Sequence, residues 1–376
     1  MSGMYLHIPY CHQACNYCDF HFSTSLKSKT DLIKSILLEL DLRANYLSSK
    51  KISTIYFGGG TPSILPESDL FSILEKIYKI YSVDQNAEIT IECNPEDLNI
   101  DKLKELQRLE FNRLSIGLQS FNDDELKWMN RNHSAEQSES SIKRAQDKGF
   151  ENITIDLIYG SKFSNLKNWK TTLQKAIALE INHISSYNLT VEPKTKLGFD
   201  VQKNIEQEIN DEKSAELFLE MIDVLTRNQF IHYEISNFAK EGFMSKHNSN
   251  YWKGVQYIGI GPSAHSFDGV SRQWNVNNNN LYIKSLSEKS DNFFEKEVLS
   301  DSDRFNETIL TGLRTMWGIN IKDMKKNYSN IIEKEFDEKI SKLVRQDLIN
   351  LSEDGNAVLT LNGKLMADKI ASDLFV

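Results

Sequence analysis

The chain has 376 residues, of which 40% are hydrophobic and 26% charged, with 17 glycines and 6 prolines. This composition is that of a globular protein and excludes a collagen-like or largely disordered chain. The formal net charge of -9 argues against nucleic acid as the main partner, because phosphate binding needs a positive surface. The chain has no run of 18 apolar residues and no apolar leader in MSGMYLHIPY, so we predict a cytoplasmic protein with at most peripheral membrane association.

The first 260 residues alternate short apolar runs with longer amphipathic segments. Strands are predicted at 4–8, 52–57, 87–92, 112–118, 152–159 and 183–189, with weaker candidates at 232–236 and 255–260. Helices are predicted at 31–47, 69–80, 140–149 and 214–228, where apolar residues recur at three- and four-residue spacing. This alternation predicts right-handed βαβ units and a parallel sheet. The fold class is therefore α/β, as a partial or full TIM-type barrel, with an open doubly wound sheet as the alternative.

The pattern changes near residue 300. Helices are predicted at 304–318 and 335–348, a hairpin at 349–361 and a closing helix at 363–375. Helices followed by a small hairpin resemble a winged-helix module, which we interpret as packing architecture in this acidic chain. We therefore predict a barrel domain at 1–240, a connecting region at 241–300 and a mainly helical, winged-helix-like domain at 301–376.

Three of the four cysteines, Cys11, Cys15 and Cys18, lie together in HIPYCHQACNYCDF directly after the first predicted strand. Such crowding does not describe a disulfide framework, and clustered thiolates favour an iron–sulfur cluster. One alternative is a structural zinc site, which needs a fourth ligand such as Cys93, His12 or His21. Another is three reduced core cysteines without a ligand, which leaves the regular spacing unexplained.

Polar or glycine-rich segments also follow the next four predicted strands. FGGGTPS holds Gly58, Gly59 and Gly60, whose missing side chains allow a ligand to approach the backbone closely. The third, fourth and fifth strands end at or carry Glu92, Gln119 and Asp156. In a barrel these strand ends meet on one face, so the pattern predicts a shared binding site.

The CxxxCxxC spacing after a first strand resembles the signature of radical S-adenosylmethionine (SAM) proteins. The resemblance implies that Cys11, Cys15 and Cys18 hold a 4Fe-4S cluster whose fourth iron stays open to SAM. More narrowly, YLHIPYC, GGGTPS, SIGLQSF and IDLIYG resemble the coproporphyrinogen dehydrogenase branch, and the similarity extends to TGLRTMWG in the tail. By position, this resemblance assigns SAM contacts, in one site or two, to Tyr5, Gly58, Gly59, Gly60, Thr61, Glu92, Gln119, Arg131 and Asp156. We expect Tyr17 and Phe20 to shield the cluster.

Phe20 marks a departure from that branch, because the decarboxylating enzymes have a further cysteine two positions after the third ligand. The CDF ending resembles the heme-chaperone group instead, and so does HNSNYW at 247–252. This resemblance implies that His247 contacts heme, and Tyr251 and Trp252 are expected to pack on the macrocycle. The alternative is a hydrogen-bonded histidine beside core aromatics. His265 is a second, weaker heme candidate.

The resemblance thus implies a protein that carries a 4Fe-4S cluster and SAM, binds heme and hands it to heme-accepting respiratory proteins, possibly as a homodimer. The alternative is an oxygen-independent coproporphyrinogen III dehydrogenase, or another radical SAM enzyme acting on a tetrapyrrole. A third possibility is an iron–sulfur or zinc protein without SAM chemistry. Phe20 argues against porphyrinogen decarboxylation.

Overall fold

The structure, a computed structural model, describes residues 1–207, 210–331 and 335–376. The strands in chain order are β1 (Ser2–Ile8), β2 (Lys51–Gly59), β3 (Ser82–Cys93), β4 (Arg113–Gln119), β5 (Ile153–Tyr159), β6 (His183–Asn188), β7 (Ile231–Glu234), β8 (Asn237–Ala239), β9 (Tyr257–Ile260), β10 (His265–Phe267), β11 (Ser271–Asn275), β12 (Phe294–Val298), β13 (Ile319–Asn320), β14 (Ile349–Leu351) and β15 (Asn356–Leu359). The helices are α1 (Lys29–Leu42), α2 (Glu67–Ile80), α3 (Ile100–Arg108), α4 (Asp123–Trp128), α5 (Ala135–Asp147), α6 (Leu166–Ala178), α7 (Lys196–Gln202), α8 (Asp211–Arg227), α9 (Lys246–Trp252), α10 (Asn279–Ser287), α11 (Asp301–Leu313), α12 (Ile321–Asn327), α13 (Glu335–Arg345), α14 (Leu361–Lys364) and α15 (Ala367–Asp373).

The main sheet has its first six strands side by side in sequence order, all parallel. A doubly wound sheet would reverse its strand order at a switch point, and sequential order with right-handed crossovers puts the helices on one face instead. The sheet continues past β6 to the antiparallel β8, while β9 pairs in parallel with the other side of β1. The predicted α/β barrel is therefore confirmed, in its partial form.

Burial explains why these runs form strands. Every residue of β4 from Arg113 to Leu118 is buried, as expected for a parallel strand covered on both faces. The helices pack apolar stripes against the sheet, and one hydrophobic core spans residues from Met4 to Phe293. All eight predicted strands and the four predicted barrel helices are present, with ends shifted by a few residues.

A buried carboxylate joins α1 to the strands that follow residue 255. Glu39 is 0% exposed, and its Oε1 accepts hydrogen bonds from Arg43 Nη1 (3.0 Å) and Asn275 Nδ2 (2.8 Å). Its Oε2 accepts from the Gly261 amide (2.8 Å) and the Tyr282 hydroxyl (2.6 Å). Strands β9 to β12 therefore extend the barrel sheet within the segment 241–300, and the predicted domain boundaries at 240 and 300 stay a prediction.

The C-terminal segment has its own core, which runs from Phe305 to Leu374 and includes the three-stranded sheet β13-β15-β14. The predicted closing helix at 363–375 is instead two helices, because α14 ends at Lys364 and α15 begins at Ala367. Gly363 lies against the carbonyl of Leu348, where a Cβ would come within 2.0 Å of the oxygen. Among the described residues, none of the helices is both long enough and apolar enough to span a bilayer.

Candidate functional site

The cysteine loop, residues 9–23 between β1 and α1, is fixed to the segment that follows α4. The Asn16 amide donates to the Met129 carbonyl (3.1 Å), and Asn130 Nδ2 donates to the Ala14 carbonyl (2.7 Å). Gln13 Nε2 donates in return to the Asn130 carbonyl (3.1 Å). These hydrogen bonds between the loop and residues 129–130 were not predicted from the sequence. Asn130 has a positive φ of 60°, which asparagine tolerates better than most residues.

The three loop thiols are partly buried and two of them meet polar side chains of the predicted site. Arg131 Nη1 donates to Cys15 Sγ at 3.4 Å, and Thr61 Oγ1 donates to Cys11 Sγ at 3.6 Å. Burial raises the pKa of Cys11 to about 11 and that of Cys18 to about 12, so the protein alone keeps both thiols protonated at neutral pH. Deprotonated by iron, they form a donor set of soft thiolates that suits an iron–sulfur cluster.

The candidates for a fourth zinc ligand were His12, His21 and Cys93, and both histidines contact other side chains. His12 Nε2 lies 3.1 Å from Asp97 Oδ1, and His21 Nε2 lies 2.7 Å from Asn279 Oδ1. Cys93 is buried at the end of β3, as expected of a core thiol. Within residues 1–207, 210–331 and 335–376, no three His, Cys, Asp or Glu side chains are arranged to hold one metal ion. The zinc alternative therefore has no ligand set in the described chain.

The glycine run lies directly against the cysteine loop. The Gly60 amide donates to the Ile8 carbonyl (2.9 Å), and a Cβ at Gly60 would come within 2.6 Å of the Tyr10 carbonyl oxygen and 2.9 Å of Cys11 Sγ. Gly59 has a φ of 114°, which disfavours any side chain. Glycine is thus required here by contact as well as by conformation, and the run leaves a side-chain-free cradle beside the thiols.

Two partly buried carboxylates line the barrel interior beside this cradle. Glu92 accepts hydrogen bonds from the Tyr56 hydroxyl (2.8 Å) and the Gly59 amide (3.1 Å). Glu92 and Asp156 share a cavity of about 50 Å³ with Arg113. Burial, with their mutual repulsion adding at Glu92, raises the pKa of each carboxyl to about 7. Each group can therefore hold or release a proton near neutral pH.

Arg131 connects the cysteine loop to the end of β4. Its Nη2 donates to the Gly117 carbonyl (2.7 Å) and to Asn94 Oδ1 (2.8 Å), whereas its buried Nε has no partner among the described residues. Gln119 ends β4 with a φ of 68°, beside a register shift that turns the strand end toward the site. The free N–H and the glycine cradle fit the amino-acid part of SAM. Asn94, which also donates to Thr61 (3.3 Å), was missed because nothing in its sequence context marks it.

The HNSNYW segment forms the short helix α9, which begins on a carboxylate from the barrel. The Glu88 carboxylate in β3 accepts from the amides of Lys246 (3.0 Å) and His247 (2.8 Å). His247 is 1% exposed, with Nδ1 2.9 Å from the Thr54 hydroxyl and Nε2 2.8 Å from the Tyr251 hydroxyl. Burial lowers the pKa of His247 to about 3. In this structure His247 is therefore a neutral, hydrogen-bonded side chain beside core aromatics.

A cavity of about 700 Å³ separates the cysteine loop from α9, β9 and β10. Tyr251 and His265 line one side and Phe20 the other, where 71% of the Phe20 side chain is exposed. Tyr17 lies beside the Cys15 side chain, whereas Phe20 meets the Cys18 thiol through its backbone. Trp252 does not face the cavity but packs under the Arg314 guanidinium, 5.5 Å from its ring centroid.

Comparison with known proteins shows the family and the fold of the chain. A sequence model of the Radical SAM superfamily matches residues 5–176, and one of the HemN C-terminal domain matches residues 299–366. Heme chaperone HemW of Bacillus subtilis is 32% identical over 98% of each chain, and that of Lactococcus lactis is 34% identical over 93% of this chain and 90% of its own. The solved structure of HemN, the Escherichia coli coproporphyrinogen III oxidase, superposes with a TM-score of 0.85 over all of this chain and 90% of its own, at 22% identity. That likeness shows the fold, while the sequence relatives show the family: the chain belongs to the HemW family of the radical SAM superfamily.

Proposed function

We propose that this protein is a heme chaperone, which binds heme and delivers it to heme-accepting respiratory proteins. The observation that carries the proposal is the 700 Å³ cavity whose two sides come from α9, the helix of the HNSNYW motif, and from the cysteine loop. Phe20 stands in that cavity where decarboxylating relatives have a cysteine. The curated relatives that match nearly the whole chain carry the name heme chaperone.

We further propose that Cys11, Cys15 and Cys18 hold a 4Fe-4S cluster next to a SAM site. When bound, the reduced cluster supplies an electron to the sulfonium of SAM. Arg131 and Thr61 would keep their hydrogen bonds to the Cys15 and Cys11 sulfurs, and such bonds raise the reduction potential of a cluster by stabilising its more negative state.

The remaining SAM contacts follow from the groups around the glycine cradle. Gly58, Gly59 and Gly60 have no side chain and would let the amino-acid part of SAM approach the chain closely, and the unpartnered Nε of Arg131 would offer it a donor. Tyr5, Glu92, Gln119 and Asp156 line the same end of the barrel and are proposed to orient the rest of the molecule. Glu92 would act as a hydrogen-bond acceptor in its ionised form.

His247 is proposed to support heme binding indirectly, through its contact with a residue that lines the cavity. Its Nε2 is bonded to the Tyr251 hydroxyl, and Tyr251 lines the cavity that His247 itself does not reach. Direct ligation of iron by His247 would break that bond and expose a side chain that is now 1% accessible. Transfer to acceptors at a membrane surface and formation of a homodimer are parts of the same proposal.

The test is one anaerobically reconstituted sample measured in two ways. We expect four irons per chain, lost in Cys15→Ala and kept in the buried control Cys93→Ala. Hemin titration should then give a Soret shift, and incubation with reductant, SAM and coproporphyrinogen should give no protoporphyrinogen. Porphyrinogen decarboxylation without hemin binding would replace the chaperone proposal with the dehydrogenase alternative.

A further inference from the structure

Two cavities adjoin outside the cysteine loop. The first, which we call the loop cavity, is the 700 Å³ space lined by Phe20, Tyr251, Tyr257 and His265. The second, the asparagine groove, measures about 360 Å³ and is lined by Lys27, serines of the loop and residues 277–280. His21, Phe22 and Asn277 line both, so the two spaces are adjacent. An aromatic cavity beside a polar groove suits a flat ligand with an acidic edge.

His265 is the histidine of the loop cavity that is available to a metal. His7 is bonded at both nitrogens, to the Tyr5 hydroxyl (3.1 Å) and the His21 carbonyl (3.0 Å), and His21 is bonded through Nε2 to Asn279. His265 is exposed and makes no side-chain hydrogen bond to any described residue. Trp274, its partner in β11, stacks on the ring at 6.3 Å between centroids and orients it. Partial desolvation by the surrounding residues, with the Arg272 charge adding to it, lowers the pKa of His265 and favours the neutral imidazole that iron binds.

The other walls suit a macrocycle. Tyr251 meets Tyr257 edge to face, with centroids 4.6 Å apart, so the two rings form a rigid apolar corner. Phe20 faces them from the cysteine loop and is free to close over a bound ring, because it is 71% exposed. A cavity of about 700 Å³ lies within the size range of small-molecule sites.

The asparagine groove supplies the positive charge and the hydrogen-bond donors that the acidic edge of a ligand requires. Lys27 is exposed and, among the described residues, has no carboxylate partner, whereas its neighbour Lys29 is paired with Asp69 at 2.5 Å. Asn277, Asn280 and the loop serines add amide and hydroxyl donors. Heme carries two propionates on one edge of its ring, so the chemistry of the two spaces matches the two parts of one heme.

We propose that heme lies in the loop cavity with its iron bound by His265 and its propionates in the asparagine groove, where Lys27 pairs with them. His247 is then a positioning residue, which holds the Tyr251 ring against the macrocycle through its hydrogen bond. This inference rests on the proposed function, because it requires that the protein bind heme.

The first experiment is a hemin titration of the reconstituted full chain. We expect His265→Gly to weaken binding about tenfold or more and to move the Soret band, and added imidazole to restore both. His247→Phe and Tyr251→Phe should weaken binding equally and leave the Soret position unchanged, because neither removes the iron ligand. The assignment would be overturned if His265→Gly bound hemin as the wild type does, or if imidazole did not restore the lost hemin binding. A wild-type chain that binds no hemin would instead overturn the proposed function.

The second experiment compares hemin with its dimethyl ester, in which both propionates are neutral. Lys27→Ala should weaken hemin binding about two- to fivefold and leave binding of the ester unchanged. Lys34→Ala is the matched control, since Lys34 lies on α1 and pairs with Asp31 at 3.3 Å. An equal loss for hemin and ester in Lys27→Ala would contradict a propionate contact.

Discussion

Glu39→Ala should be among the most destabilising single substitutions in the barrel. It removes four hydrogen bonds that end on one fully buried carboxylate. The Arg43 guanidinium stays buried against the Gly259 carbonyl (2.8 Å), the Ser266 hydroxyl (2.9 Å) and the Tyr46 ring (4.4 Å to its centroid), none of which carries a negative charge. Breaking a buried ion pair by removing one member costs about 3–5 kcal/mol, because the remaining charge is uncompensated. We therefore expect the free energy of unfolding to fall by about that amount.

The measurement is urea unfolding followed by tryptophan fluorescence. Glu75→Ala on α2 is the matched control, because Glu75 pairs with Lys79 at 3.0 Å on the surface with about half of its side chain exposed, and loss of such a pair costs at most about 1 kcal/mol. A loss below about 1 kcal/mol in Glu39→Ala would refute the argument, since Arg43 would then be compensated without Glu39. Glu39→Leu combined with Arg43→Met should recover part of the loss, because it removes both charges.

Three further substitutions test other parts of the site. Gly60→Ala puts a methyl group within 2.6 Å of the Tyr10 carbonyl oxygen, so it should take up less iron on reconstitution than Gly242→Ala, where the space is open; equal uptake would contradict the close packing. Glu88→Ala leaves two amides of α9 uncapped and should cost about 1–2 kcal/mol in urea unfolding while also weakening hemin binding, whereas intact hemin binding would separate α9 from the heme site. Burial raises the pKa of Asp156 from 3.8 to about 7, so the folded protein holds a proton that the unfolded chain releases, and this stabilisation is lost as the pH rises through 7. The urea midpoint should therefore fall less between pH 5 and pH 8 in Asp156→Asn than in the wild type, and equal falls would show that the carboxyl is not protonated at pH 5.

The barrel strands were predictable because their signal is local. A run such as NRLSIGL is apolar or β-branched at most positions and lies in a strand that is buried on both faces. Strands β10 and β11 were missed, since they have only three and five residues and each contains a single large apolar side chain, Phe267 or Trp274. The Glu39 carboxylate on α1 accepts hydrogen bonds from Gly261, before β10, and from Asn275 at the end of β11. It lies more than 200 positions earlier in the chain, and no local pattern reports such a partner.

In the site, too, the parts with a local sequence signal were predicted, and the parts that depend on contacts between distant residues were not. Spacing singled out the cysteines, the family resemblance added the glycines, and strand order brings Cys11 and Gly60 together. The helix at 246–252 was not predicted, because seven residues are too short to show periodicity and its capping carboxylate, Glu88, lies on a distant strand. A hydrogen-bonded His247 beside core aromatics was one of the two alternatives for this motif, but its partner, the Thr54 hydroxyl of β2, could not be named from the sequence.

The three landmarks of α9 point in three directions: His247 toward the barrel interior, Tyr251 toward the loop cavity and Trp252 toward the C-terminal segment. A substitution at each residue would therefore weaken heme binding for a different reason. Loss of His247 would change the orientation of the Tyr251 ring, loss of Tyr251 would remove part of the cavity wall, and loss of Trp252 would weaken packing against the C-terminal segment. Because the three residues share one helix, substitutions at each of them can give the same loss of heme binding. Such a loss does not show which atom binds the iron. Spectra that report the iron's own ligands separate loss of a ligand from loss of a supporting contact.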